Sequence, residues 1–165
     1  PGFTVSPSSQ NVTVNGANVG SINFTASSIA YVITGTISGG AGATVTLSGA
    51  TTATTTADAA GNYSFPGVTN GSYTVTPAKT GYAFTPANRA VTINGANATA
   101  SFTSAQTYSI SGTITGLGVS GVTVTLSGGA TATTVTNSSG AFTFSGLASG
   151  TYKVTPSKSG TIFTP

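Results

Sequence analysis

The chain of 165 residues has no cysteine, histidine, methionine or tryptophan, and only five of its side chains carry charge. Those five are Asp58, Lys79, Arg89, Lys153 and Lys158. Without cysteine there is no disulfide framework, no thiolate metal site and no covalently attached haem. With no histidine and one carboxylate, a serine or threonine nucleophile has neither base nor orienting acid. A glycosidase needs two carboxylates, and a transition metal wants imidazole or thiolate ligands, so both chemistries are excluded. No catalytic, cofactor-binding or metal-binding residue is assigned, and no cofactor is expected. The formal net charge is +3, but four scattered cations make no phosphate-tracking patch, so nucleic acid is not an expected partner. No apolar run approaches the roughly 18 residues of a membrane span, and none resembles a signal peptide. The segment is not expected to insert into a membrane. It reads as an excerpt whose export signal and anchor lie elsewhere.

What the chain does have is repetition. Pro7, Pro86 and Pro165 stand 79 residues apart, each closing a version of one phrase: Gly2–Pro7, Gly81–Pro86 and Gly160–Pro165. Repetition at a fixed period marks modules in series, which a stalk, fibre or spacer needs and a catalytic domain rarely does. Within each period, apolar and polar residues alternate. Val45 and Leu47 are set among threonine and serine, as are Tyr63 and Phe65, and Tyr73 and Val75. The next copy repeats this with Val124 and Leu126, Phe142 and Phe144, and Tyr152 and Val154. A period of two puts the apolar set on one face of a sheet, and threonine suits the other face. Turn signals fall between: Asp58–Gly61 matches Asn137–Gly140, and Asn15–Asn18 matches Asn94–Asn97. The last pair, with Asn-Gly between alternating segments, predicts a hairpin.

The expected fold class is all-β: tandem antiparallel immunoglobulin-like or transthyretin-like β-sandwiches. The expected strands of the complete repeat are 31–38, 43–48, 51–57, 62–65, 71–76, 90–93 and 99–103, with a bend or short extended piece at 82–84. The phase gives three parts. Residues 1–28 are the C-terminal strands of a preceding repeat, 29–105 a complete sandwich, and 106–165 the next repeat without its last two strands. The loop Thr115–Gly121 carries two extra residues, since Tyr31 and Tyr108 are only 77 apart.

The repeated string Tyr-x-Ile-x-Gly-x-Ile, Gly-x-x-Val-Thr-Leu-Ser-Gly, Asx-x-x-Gly-x-(Tyr/Phe)-x-Phe and Gly-x-Tyr-x-Val-x-Pro resembles the carboxypeptidase regulatory-like, or transthyretin-like (Cna-B-like), β-sandwich repeat of bacterial surface proteins. The resemblance covers nearly the whole chain. It implies a non-catalytic module of secreted and cell-surface proteins, often in tandem, acting as stalk, spacer or adhesive unit. Some relatives carry a Lys–Asn isopeptide cross-link promoted by an acid. Neither Tyr31–Ile37 nor Tyr108–Ile114 contains lysine, and the sequence has no glutamate, so the cross-link is not expected.

Particular residues admit two readings. Asp58 opens a β-turn or helps bind Ca²⁺; its counterpart Asn137 serves a turn equally and an ion poorly. Lys79 and Lys158 are solubilising loop charges or contacts for an acidic partner. The six tyrosines fill the core with their hydroxyls at the rim, or form a sugar-binding platform. Six Asn-x-Ser/Thr sequons matter only in a host that glycosylates exported proteins.

The favoured function is an extracellular or cell-surface structural array, a fibre, stalk or filament of stacked sandwiches, with donor-strand complementation between units. The join is assigned to Val12, Val14, Ile22 and Phe24, with Val91, Ile93 and Phe102 doing the same inside the complete repeat. The expected partner is the chain itself, as homopolymer or tandem neighbour, with surface glycans as an alternative. The alternative function is an adhesin, carbohydrate-binding module or spacer appended to a larger secreted protein.

Overall fold

The computed structural model describes residues 2–164, and they form strands, turns and loops. In chain order the strands are β1 (Phe3–Ser6), β2 (Thr25–Ser28), β3 (Tyr31–Ser38) and β4 (Thr44–Gly49). Then come β5 (Ala53–Thr56), β6 (Asn62–Val68), β7 (Gly71–Ala78) and β8 (Tyr82–Thr85). β9 (Arg89–Ile93), β10 (Ala98–Thr99) and β11 (Phe102–Gln106) end the first full repeat. The rest of the chain gives β12 (Tyr108–Thr113), β13 (Thr123–Gly128), β14 (Ala132–Val135), β15 (Ala141–Leu147) and β16 (Tyr152–Ser157). The chain divides into two compact units: Pro1–Ala78 with Thr85–Thr103, and Lys79–Phe84 with Ser104–Pro165.

The first unit contains a closed sandwich. One sheet has the order β5-β4-β7-β9, antiparallel throughout. In the other, β6 lies on one edge of β3, while β10 and the start of β11 share the opposite edge. The alternation of the sequence decides what faces in. Ile33, Ile37, Val45, Leu47, Phe65 and Val75 are buried, while Thr34, Thr44, Thr46 and Thr76 are exposed.

Two features depart from the sequence-based expectation. The sandwich is antiparallel except at one seam, where β10 and β11 run parallel to β3, pairing Ala98 with Ile33 and Phe102 with Ile37. The cause lies in Asn94–Asn97, which is a corner between sheets and no hairpin. β9 pairs with β7 in one sheet, and the chain then crosses to β3 in the other. Asparagine amides hold this corner: Gly95 N donates to Asn70 Oδ1 and Val32 N to Asn97 Oδ1, both at 2.9 Å. An Asn-Gly turn fixes a local reversal, and the partner of the following strand is set by tertiary contacts.

The second unit has a pair, β12–β15, and a three-stranded sheet, β14-β13-β16. Its core is Val124, Leu126, Phe144 and Leu147, with Ile110, Ile114, Phe142, Tyr152 and Val154 packed against it half-buried. Thr136 pins the loop Thr115–Gly121: its hydroxyl donates to Val119 O at 2.6 Å and accepts from Val122 N at 2.9 Å. Lys158 Nζ donates to Gly118 O and Ser120 O of the same loop, at 2.7 and 2.6 Å.

Candidate assembly site

Two regions leave apolar surface without a covering strand. In the second unit, among the described residues, β12 pairs only with β15 and β16 only with β13. The counterparts of these edges, on β3 and β7, carry β10, β11 and β9. The consequence falls on the side chains. Ile33, Ile37, Tyr63, Tyr73 and Val75 are buried, whereas Ile110, Ile114, Phe142, Tyr152 and Val154 are half-buried. A depression of about 230 Å³ opens there, lined by Tyr108, Ile110, Leu147, Ala148, Gly150 and Tyr152 among others.

The other region is the N-terminal tail. The sequence suggests a hairpin of two tail strands, but here β1 pairs with β2 and residues 7–24 form no strand. A strand persists only where a neighbour takes its hydrogen bonds, and the edges of β3 and β7 are already taken by β10, β11 and β9. The assigned residues therefore split into two groups. Val12, Val14 and Phe24 are 45%, 71% and 50% exposed, while Val91, Ile93 and Phe102 are 9%, 1% and 3% exposed. Ile22 is also exposed, whereas Ala100, two positions before Phe102 as Ile22 is before Phe24, is fully buried. Among the described residues, every exposed large apolar side chain lies in 3–24 or 108–162 and none in 29–107.

Some contributors escape an apolar-pattern reading. Tyr63 crosses β3 over Gly35, and its hydroxyl donates to Ala100 O. Gly35 has no Cβ because one would collide with the Ala100 carbonyl and the Tyr63 ring. Burial pushes the Tyr63 hydroxyl up to about 12, with Arg89 pulling it slightly back. Ser101 Oγ accepts from Thr36 N at 3.2 Å. The repeated Gly35/Gly112 and Asn18/Asn97 are the sequence signals for these contacts.

The remaining polar candidates have local duties. Asp58 Oδ1 accepts from Asn62 N at 2.8 Å and Ala60 N at 2.9 Å, and these bonds, Asn62 foremost, lower its pKa. Asn137 does the same with Ala141 N and Ser139 N, both at 3.0 Å. Lys79 Nζ lies 4.4 Å from the centre of the Tyr82 ring. Tyr73 and Tyr152 each donate to a carbonyl four residues back, Thr69 O and Ala148 O, at 2.9 Å. A wide-open recess of about 640 Å³ is lined by hydroxyls, an amide and a carboxylate, among them Thr34, Thr55, Ser101, Asn62 and Asp58.

These features define a class: a β-sandwich module whose strands bury an apolar face and expose a polar one. Comparison with known families agrees. Residues 24–107, just over half of the chain, match the BOS complex subunit NOMO1-like, second beta sandwich domain, and the chain belongs to that family. Residues 109–162 match the carboxypeptidase regulatory-like domain, as the repeated motifs imply. Chitinase ChiA of Flavobacterium johnsoniae is 41% identical over 64% of this chain, which spans only 7% of that protein. Two solved structures show partial similarity: the Bacillus anthracis TIE protein (16% identity, TM-score 0.43, 86% of this chain, 32% of that one) and a streptococcal ancillary pilin (13%, 0.42, 78% and 54%).

Proposed function

We propose that this chain is a non-catalytic structural segment of an extracellular protein, forming a fibre, stalk or filament from stacked β-sandwich modules. The observation that carries this reading is one sandwich code written in series, with a single residue, Thr107, between the last strand of one module and the first of the next. A direct strand-to-strand connection suits a load-bearing array better than a pair of independent binding heads. The chemistry agrees, since the sequence has no histidine and a single acidic side chain. The chain's partner in this reading is another copy of itself. Electron microscopy of the purified protein tests it: ordered filaments are expected, and a uniform population of single particles at high concentration would reject it.

A second reading rests on the chitinase relative. The segment would then be a glycan-binding or spacer module of a larger secreted enzyme or adhesin. Its hydroxyl-lined recess offers hydrogen bonds but no exposed aromatic face, since Tyr63 in its wall is buried. Saturable binding on a glycan array would favour this module, with loss on exchange of Thr115–Gly121 placing the site in that loop and retention leaving the hydroxyl-lined recess.

A further inference from the structure

We infer that the recess on the outer face of β3, β6 and β10 is a binding subsite for an uncharged, polyhydroxylated chain, a neutral oligosaccharide. The inference rests on the second reading above and deepens it by naming its site and ligand class. The recess lies wholly within the complete module, among residues 34–101. Strand alternation builds its floor. Ile33, Tyr63 and Phe65 turn into the core, so their neighbours turn outward. Register then sets six of these outward residues in two rows of three. Ser64, Thr34 and Thr99 lie abreast in one row, and Asn62, Thr36 and Ser101 in the other. All six are exposed. Neighbouring strands are about 4.8 Å apart, so each row reaches across roughly 10 Å. Asp58, which accepts from Asn62 Nδ2 at 3.2 Å, and Thr56 of β5 line the recess as well.

The lining selects the ligand. Its volume of about 640 Å³ is in the range of small-molecule sites. Hydroxyls, an amide and a carboxylate suit a ligand that both donates and accepts hydrogen bonds. Thr36 Oγ1 donates to Ser101 Oγ at 3.3 Å, and Asp58 is held by Asn62 N and Ala60 N, so these groups are positioned before any ligand arrives. No aliphatic side chain larger than threonine lines the recess, and its one aromatic, Tyr63, is buried. A protein partner would find no apolar anchor point there. The one charge is the Asp58 carboxylate, and no lysine or arginine lines the recess, so uronates, sulfates and phosphates meet repulsion with no counter-ion. The repeat supplies an internal control. Thr34, Thr36 and Ser64 keep a hydroxyl in the next module, as Ser111, Thr113 and Thr143. Thr56, Asp58 and Asn62 become Val135, Asn137 and Ala141. The changes that remove a hydrogen-bonding group or a charge thus gather at the Asp58 end. Binding is therefore a property of the complete module and not of the repeat as such.

Chemical-shift mapping of the full chain, titrated with cello-, chito- and malto-oligosaccharides and with an oligogalacturonate, tests this. A neutral member is expected to shift the amides of Thr34, Thr36, Ser64 and Thr99 saturably, and the oligogalacturonate to leave them unmoved. Thr56→Val with Asp58→Asn and Asn62→Ala copies the next module, so the fold should persist while affinity falls at least about tenfold. Asn62→Ala alone should weaken binding in the same direction, and exchange of Thr115–Gly121 should leave it unchanged. Neutral binding that shifts Thr115–Gly121 instead, or that survives the triple variant, would overturn this site while the glycan-binding reading stands. Preference for the oligogalacturonate would overturn the ligand class. Binding by no member of the panel would overturn both the site and the reading it rests on.

Discussion

The complete sandwich and the one after it share a code but finish differently. Val45 and Leu47 are as fully buried as Val124 and Leu126, because β4 and β13 have the same neighbours on both sides. Ile33 and Tyr73 are buried while Ile110 and Tyr152 are not, because their strands differ in what covers the outer edge. A strand's own residues therefore select its faces, and burial is completed by strands distant in sequence. The tail makes the converse point. Val14 and Ile93 stand at equal positions in the repeat, yet only the one with a waiting edge is in a strand.

That contrast can be broken by substitution. The largest effect is expected at Ile93: Ile93→Ala should cost about 2–5 kcal/mol in urea unfolding of the dilute protein, while Val14→Ala stays within about 0.5 kcal/mol. Equal costs would mean that the tail is already packed in the single chain. Next comes glycine. Gly35→Ala drives a Cβ into the Ala100 carbonyl and should cost about 1–3 kcal/mol. Gly112→Ala meets only the half-buried Phe142 ring, at 2.7 Å from its tip, which can turn aside, so its cost should be smaller in calorimetry.

Tyr63→Phe, which copies Phe142, removes the bond to Ala100 and should cost about 1 kcal/mol at neutral pH. Because the fold raises this hydroxyl from 10.0 to about 12, its neutral form is favoured in the folded state. The linked stability is present below pH 10 and is lost as pH rises from there toward 12. The variant should lack that alkaline loss in a pH series of melting temperatures, and an unchanged slope would assign it elsewhere. The smallest effect belongs to Asp58→Asn, which copies Asn137 and should be nearly neutral at pH 7. The fold lowers the Asp58 pKa below 3.8, so its stabilisation is present above that value and declines as pH falls through the folded value. The variant should flatten that acid limb; an identical limb in both proteins would exclude Asp58 as its source.

Much of this was readable from residues alone. Strand β3 falls where alternation puts it, 31–38, and the Asp58 and Asn137 turns follow from side chains that bond their own backbone. These are local effects with local signals. The parallel seam was not readable, because an Asn-Gly turn looks the same whether the next strand returns to its neighbour or crosses to the other sheet. Strand β8 was legible only as a bend or short extended piece, since a proline follows it and its contact at Thr103 lies 18 residues beyond Thr85. The candidate site was half legible. Tail residues could be picked by alternation, but Gly112, Asn18 and Phe142 gain meaning only once the complete module shows what approaches Gly35, Val32 and Tyr63.

The central claim is that a strand's own residues select its faces while strands distant in sequence complete its burial. Amide hydrogen exchange of the chain measures this directly. β3 and β7, which have neighbours on both edges, should be protected, while residues 7–24 and the outer edges of β12 and β16 exchange fast. Protection of β12 and β16 equal to that of β3 and β7 would contradict the account.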